Sequence, residues 1–207
     1  QPALPWGNTP GVALLPGSRT HEVRRILPSM LDACASLASA RPGTSFVIAS
    51  ASAELSQQIE NQLASRSGLS PGISVVTDRT REVLRQARAA WVASGTATLE
   101  TALLECPMVI CYRVAPLTYA LAKRLVKTEH IGMVNIIAGR RLCPELIQHD
   151  ATAQQLAAAI LPLLTDSAER AAMLEGYRQV IADLGEGGAA ERAANVILDE
   201  IGSAKLN

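Results

Sequence analysis

Aromatic residues are scarce in this chain: one Phe, two Trp and three Tyr among 207 residues. A nucleic-acid surface built on base stacking needs a denser supply of rings, so that class of partner is not expected. Net charge is missing as well, because 19 Lys+Arg face 19 Asp+Glu, and no bulk field recommends a polyanion or an anionic membrane. No unbroken apolar run approaches the roughly 18 residues that cross a bilayer, and no signal-peptide pattern is present. Cys34, Cys106, Cys111 and Cys143 make no CxxC pair. Three of them sit in apolar stretches and read as buried free thiols in a reducing compartment. His21, His130 and His149 are scattered, so no metal site and no cofactor are expected. Neither glycine-bearing turn that follows a predicted strand at 12–15 or 89–94 is a G-x-G-x-x-G dinucleotide turn or a G-x-S-x-G hydrolase elbow, and the glycine-rich GEGG at 185–188 lacks the lysine of a P-loop.

What the chain does have is apolar sequence, 48% of it, in short runs separated by helical patterns. Residues 1–11 are rich in proline and glycine and read as a linker or lead-in loop. Gln1 in place of a methionine implies a removed start or a piece of something longer. Apolar strands are predicted at 12–15, 45–50, 73–77, 89–94 and 107–113, with helices at 21–40, 54–65, 82–87, 98–105 and 117–126. Pro28 predicts a kink or two helical pieces within 21–40. Strands that are apolar throughout and alternate with helices indicate an α/β fold, a Rossmann-like parallel sheet with helices on both faces. That unit is expected to span 12–150. From 151 to 207 only helices are predicted, at about 152–164, 167–184 and 188–201, completing the domain.

In an open α/β sheet, ligands bind outside the carboxyl ends of the strands, and three such ends carry unusual residues. After the first strand comes Pro16-Gly17-Ser18-Arg19. Gly17 lets backbone approach a ligand, the opening amides of the next helix favour an anion, and Arg19 offers a fork for phosphate oxygens. A plain strand-to-helix turn with a surface arginine fits equally. After the fourth strand comes Ser94-Gly95-Thr96-Ala97-Thr98-Leu99-Glu100. This reads as a second phosphate nest with Glu100 placed for the hydroxyls of a ribose, or as a simple N-cap with an acid matching the helix dipole. The third segment runs from Asn135 through Gly139, Arg140 and Arg141 to Glu145 and Gln148. It reads as the lining of a sugar and diphosphate site or as a solvated turn. The stretch 116–131 sets Leu117, Leu121 and Leu125 on one helical face and Lys123 and Lys127 on another. It fits a core-packed helix with a basic outer face, or a contact with a membrane surface.

Taken together, LLPGSR, SGTATLE, PMVICYR and NIIAGRRLCPELIQ, in this order and spacing, resemble the carboxyl-terminal half of the lipid A disaccharide synthase family. The resemblance covers nearly the whole chain from Val12 onward. It implies the nucleotide-sugar domain of a GT-B glycosyltransferase, a hexosyltransferase that inverts configuration while joining an acylated glucosamine from a UDP donor to an acylated glucosamine 1-phosphate. In that reading Gly17, Ser18, Arg19 and Ser94 to Thr98 surround the diphosphate. Glu100 holds the ribose, while Asn135, Gly139, Glu145 and Gln148 line the sugar side. The family's amino-terminal half, which binds the acceptor and carries the general base, is the implied partner. A cytoplasmic location, peripheral at the inner membrane of a Gram-negative-type bacterium, is implied too, and an oligomer is compatible with it. Two other classes fit the fold: a stand-alone nucleotide-sugar enzyme such as a sugar epimerase, and a non-enzymatic nucleotide-sugar-binding module.

Overall fold

The computed structural model describes residues 3–6, 11–66, 72–115, 119 and 129–185. Its centre is a six-stranded sheet: β1 (Val12–Leu15), β2 (Phe46–Ser50), β3 (Ile73–Thr77), β4 (Ala89–Ala93), β5 (Met108–Tyr112) and β6 (Glu145–Ile147). The spatial order is β3-β2-β1-β4-β5-β6, and every pairing is parallel. β1, β2 and β4 are buried along their whole length, which is why they read as continuous apolar runs rather than alternating ones.

Seven α-helices of the described residues connect and cover these strands: α1 (Thr20–Ala40), α2 (Ala53–Ala64), α3 (Thr80–Gln86), α4 (Thr96–Leu103), α5 (Met133–Ala138), α6 (Ala153–Ile160) and α7 (Ala168–Leu184). A short 3-10 turn, Leu161–Leu164, joins the last two. α1 packs with α2 and α6, whereas α4, α5 and α7 pack on one another, so the sheet is covered on both faces. The same apolar core takes in α6 through Leu156 and Ile160 and α7 through Met173, Tyr177 and Val180. Trp91 fastens this arrangement: its ring stacks with Phe46 at 6.3 Å between centroids, and its Nε1 donates to the Leu156 carbonyl at 3.1 Å.

Several expectations need correction. α1 is a single helix of 21 residues with Pro28 inside it, so of the two outcomes expected of the proline, a kink or a division, the division does not occur. Val23, Ile26 and Leu27 before the proline and Met30, Leu31 and Cys34 after it are all buried. Burying one continuous apolar face outweighs the roughly 3 kcal/mol that an interior proline costs. The lead-in segment is not wholly a free linker, because Trp6 is 4% exposed within the core. β6 and α5 have no counterpart among the predicted elements. The four cysteines are buried and unpaired, and burial pushes the thiols of Cys106, Cys111 and Cys143 up to about 12. The helices expected at 117–126 and 188–201, and with the first the basic face around Lys123, lie outside the described residues. Among those described, no helix is long and apolar enough to cross a membrane.

Candidate functional site

The chain leaves β1 for β2 on one side and β4 for β5 on the other, so the sheet's topological switch point falls between the adjacent strands β1 and β4. Connections diverge there and leave a crevice at the carboxyl ends. The structure has a cleft of about 480 Å³ at that place, lined by Leu15, Gly17, Ser18, Arg19, Glu22, Ala49, Ala51, Thr80, Ala93, Ser94, Gly95, Thr96, Ala97, Glu100 and Met133. The first two turns singled out in the sequence therefore meet across one opening. A larger hollow of about 810 Å³ lies at the opposite, amino-terminal edge. Two of its three arginines are structural clasps: Arg88 pairs with Asp166, and Arg170 donates to the carbonyls of Arg88 and Leu163.

The β1–α1 turn holds a surprise. Gly17 has φ +119°, and a Cβ there would stand 2.6 Å from Glu22 Oε2. That oxygen accepts from the amides of Ser18 at 3.0 Å and Arg19 at 3.3 Å. The other carboxylate oxygen, Oε1, takes Arg19 Nη1 at 2.9 Å. The amides expected to face a ligand's phosphate already hold an anion, and it comes from the chain itself. Arg19 is likewise an ion-paired residue rather than a free clamp, although its side chain remains 70% exposed. Sequence reasoning passed over Glu22. The available signal was its position three residues beyond the N-cap, where an acid reaches back to the N-cap amide. Arginine at the N-cap has no acceptor to return, so only that half of the capping exchange forms.

The β4–α4 turn is built differently. α4 begins at Thr96, two residues earlier than predicted, so Ser94 and Gly95 form the whole turn. Gly95, at φ +151° and ψ −164°, occupies a region open essentially to glycine alone. No side chain caps this helix; the Thr98 amide turns back to the Gly95 carbonyl at 3.1 Å, while those amides that open the helix before it have no acceptor within it. Thr96 and Ala97, which carry two of those amides, line the cleft, where the positive end of the helix dipole favours an anion. Ser94 Oγ donates to the Ile131 carbonyl at 2.8 Å. Thr98 is fully buried, with its hydroxyl on the Gly95 carbonyl at 2.8 Å; it shapes the turn and does not line the cleft. Glu100 lies at the cleft wall and pairs with Arg81 Nε at 2.7 Å. The carboxylate in turn pushes the Arg81 guanidinium above its ordinary value. Thr80, Arg81 and Met133 are further residues at or beside the cleft that sequence reading did not mark.

The third segment departs most from expectation. Asn135 is fully buried and Glu145 is 8% exposed. Asn135 Nδ2 donates to the Cys143 carbonyl at 2.9 Å and to Glu145 Oε1 at 2.8 Å. Its Oδ1 accepts the amides of Leu142 and Cys143 at 2.9 and 2.8 Å. Glu145 also takes the amides of Ile131 and Gly132. Every polar atom of Asn135 is thus spent inside the fold, tying α5 to the approach of β6. Gly139 closes α5 as its C-cap. Gln148 locks its side chain onto Val114, accepting from the amide at 2.8 Å and donating to the carbonyl at 3.2 Å. None of these four lines the 480 Å³ cleft.

A parallel sheet in this strand order, with a cleft at its switch point, defines a Rossmann-like domain, here with the fold of the GT-B glycosyltransferases. Among solved structures, the calicheamicin glycosyltransferase superposes with a TM-score of 0.56 at 20% identity, covering 99% of this chain and 46% of that one. Residues 6–198 match the family model described as lipid-A-disaccharide synthetase, and the chain belongs to that family. It is 43% identical over 187 residues to the lipid-A-disaccharide synthase of Anaeromyxobacter dehalogenans strain 2CP-C, covering 90% of this chain and 48% of the relative. It is 41% identical over 186 residues to the synthase of Pseudomonas aeruginosa strain UCBPP-PA14, covering 90% of this chain and 49% of the relative. The chain spans about half the length of the curated relatives it matches.

Proposed function

We propose that this chain is the donor-binding half of a lipid A disaccharide synthase and that its cleft takes a UDP-linked diacylglucosamine. The observation that carries the reading is the uncapped start of α4, with the amides of Thr96 and Ala97 at the cleft wall and Arg19 across from them. Those amides meet the leaving diphosphate and stabilise the charge that grows on it as the glycosidic bond breaks. Arg19 exchanges its bond to Glu22 for one to a phosphate oxygen, a swap its exposure permits. Glu100 accepts from the ribose hydroxyls, as the acid of other Rossmann-like sites does. Inversion at the sugar carbon calls for in-line attack by the acceptor hydroxyl, with a general base. That base and the acyl-sugar 1-phosphate acceptor belong to the amino-terminal half of the family's enzyme.

Calorimetry with UDP, paired with a disaccharide-forming assay, tests this. The expected result is UDP binding by this chain without turnover, and synthesis once the amino-terminal half is supplied. Failure to bind UDP overturns the donor reading, and synthesis by this chain alone overturns the division of labour.

A further inference from the structure

A second hollow, of about 330 Å³, opens at the carboxyl ends of β5 and β6 and is lined by Arg25, Arg113, Val114, Gln148 and His149. It lies one to two strand spacings along the sheet from the switch-point cleft, roughly 5–10 Å. Three basic side chains reach it from three parts of the chain: Arg25 from α1, Arg113 from beyond β5 and His149 from beyond β6. Among the described residues, none of the three takes part in an ion pair. The switch-point cleft is the reverse case, since Arg19 is matched by Glu22 and Arg81 by Glu100.

The hollow is also held in shape. Arg113 Nε donates to the Gln148 carbonyl at 3.3 Å, and the Gln148 amide grips both backbone groups of Val114. This leaves the two terminal nitrogens of Arg113, which bind oxyanions well, without a partner among the described residues. Arg25 and Arg113 are half-buried. Two guanidiniums brought together with reduced hydration repel each other, and an anion between them removes that repulsion.

We propose that this hollow is a second anion subsite, separate from the nucleotide cleft, that takes the dianionic phosphate of a phosphomonoester. The inference rests on the donor-cleft reading: the hollow adjoins that cleft and shares no lining residue with it, so a phosphate held here lies beside the nucleotide rather than in its place. Free phosphate has the same chemistry, so both are used as probes.

Inorganic phosphate and N-acetylglucosamine 1-phosphate are titrated by calorimetry into the full chain, with and without saturating UDP. Both probes are expected to bind whether or not UDP is present. Arg25→Gln, which breaks no hydrogen bond or ion pair among the described residues, weakens them about tenfold or more and leaves UDP affinity unchanged. Arg19→Ala does the opposite. Arg113→Lys retains the fold with its charge but loses the fork, and it falls between parent and Arg25→Gln. Tighter binding of the sugar phosphate upholds the subsite and identifies a phosphorylated sugar as its ligand; equal binding upholds it for free phosphate. Displacement of both probes by UDP, absence of binding, or an Arg25→Gln variant that binds like the parent overturns the proposal. If UDP fails to bind while phosphate binding still depends on Arg25, the donor reading falls and this subsite stands.

Discussion

The switch-point cleft and the Asn135–Glu145 knot look alike in sequence and differ in kind. Each sets small and polar residues at a turn among apolar elements. In the cleft, the polar groups are on call: the first amides of α4 have no partner in the helix, and Arg19 is 70% exposed while held by one carboxylate. In the knot, the single Asn135 side chain makes four bonds, all of them to groups of the fold. A buried amide with every lone pair and proton engaged has nothing left for a ligand, and it is costly to disturb. The knot is scaffold that keeps α5, and with it Met133 at the cleft wall, in place. Hydrogen-bond capacity left over, rather than residue type, separates a site from its support.

The sharpest way to break this contrast is Asn135→Ala. It leaves the buried amide of Cys143 and the Cys143 carbonyl without this partner, and it strips the Leu142 amide of one of its two acceptors, the Arg140 carbonyl at 2.9 Å remaining. The expected loss is about 3 kcal/mol, or a melting temperature lower by roughly 6–12 °C for a domain of this size. UDP affinity of the folded fraction should stay within a small factor of the parent. A variant that melts like the parent but no longer binds UDP would make Asn135 a ligand residue and erase the distinction.

Gly17→Ala comes next and acts on both sides of the comparison. Alanine resists φ +119°, and its Cβ would press on the Glu22 side chain at 2.6–2.7 Å. A stability loss on the order of 1–3 kcal/mol should appear in urea unfolding, together with weaker UDP binding because the turn and Arg19 shift as one. Unchanged UDP binding in a destabilised variant would show that the β1–α1 turn is scaffold, like the knot.

The sheet was legible because apolar runs of this length, alternating with helical patterns, have few other ways to be buried. β1 to β5 fall within a residue or two of their predicted bounds, and the two turns that meet at the switch point were marked in advance. What escaped was decided by contacts between distant residues. β6 has only three residues, too short for a period, and it exists because β5 offers it an edge. Pro28 breaks a helix in isolation, but not one pinned to a sheet on both sides of the proline. The engagement of Asn135 by the amides of Leu142 and Cys143 depends on α5 folding back over seven and eight residues, which no pattern of spacing announces. Glu22 was nearer to being readable, since an acid three residues past an N-cap is a local device.

Within the cleft, Arg19 and Glu22 give a paired test of smaller size. Arg19→Ala should weaken UDP about tenfold, the loss of one charge-assisted contact, while uridine, which has no phosphate, is unaffected. Glu22→Gln should move UDP the other way, tightening it severalfold. The amide still accepts one backbone bond but no longer places a negative charge against the diphosphate or competes for Arg19. If Glu22→Gln weakens UDP instead, the carboxylate's main service is to brace the turn, and the first turn belongs with the scaffold.

The smallest expected effect concerns Glu100 and tests the finest division within the cleft. Its carboxylate sits at the wall with one oxygen committed to Arg81 Nε at 2.7 Å, which leaves the other for a ligand. A ribose diol can donate two hydrogen bonds to a carboxylate, and removing the 2′-hydroxyl removes one of them. The parent should therefore prefer UDP over its 2′-deoxy analogue by a factor of about 5–10, the roughly 1–1.4 kcal/mol of an ordinary hydrogen bond, because the carboxylate is partly exposed and shared with Arg81. Glu100→Gln keeps one acceptor oxygen but loses the charge, and Arg81 must then compete with the ribose for that single oxygen. The gap between the two nucleotides should shrink toward twofold or less, with only a minor drop in overall UDP affinity because the phosphate contacts are untouched. Titrations of both nucleotides into both proteins yield all the required ratios. An undiminished gap would leave Glu100 as the partner of Arg81 and nothing more, and would move the ribose to other residues of the cleft.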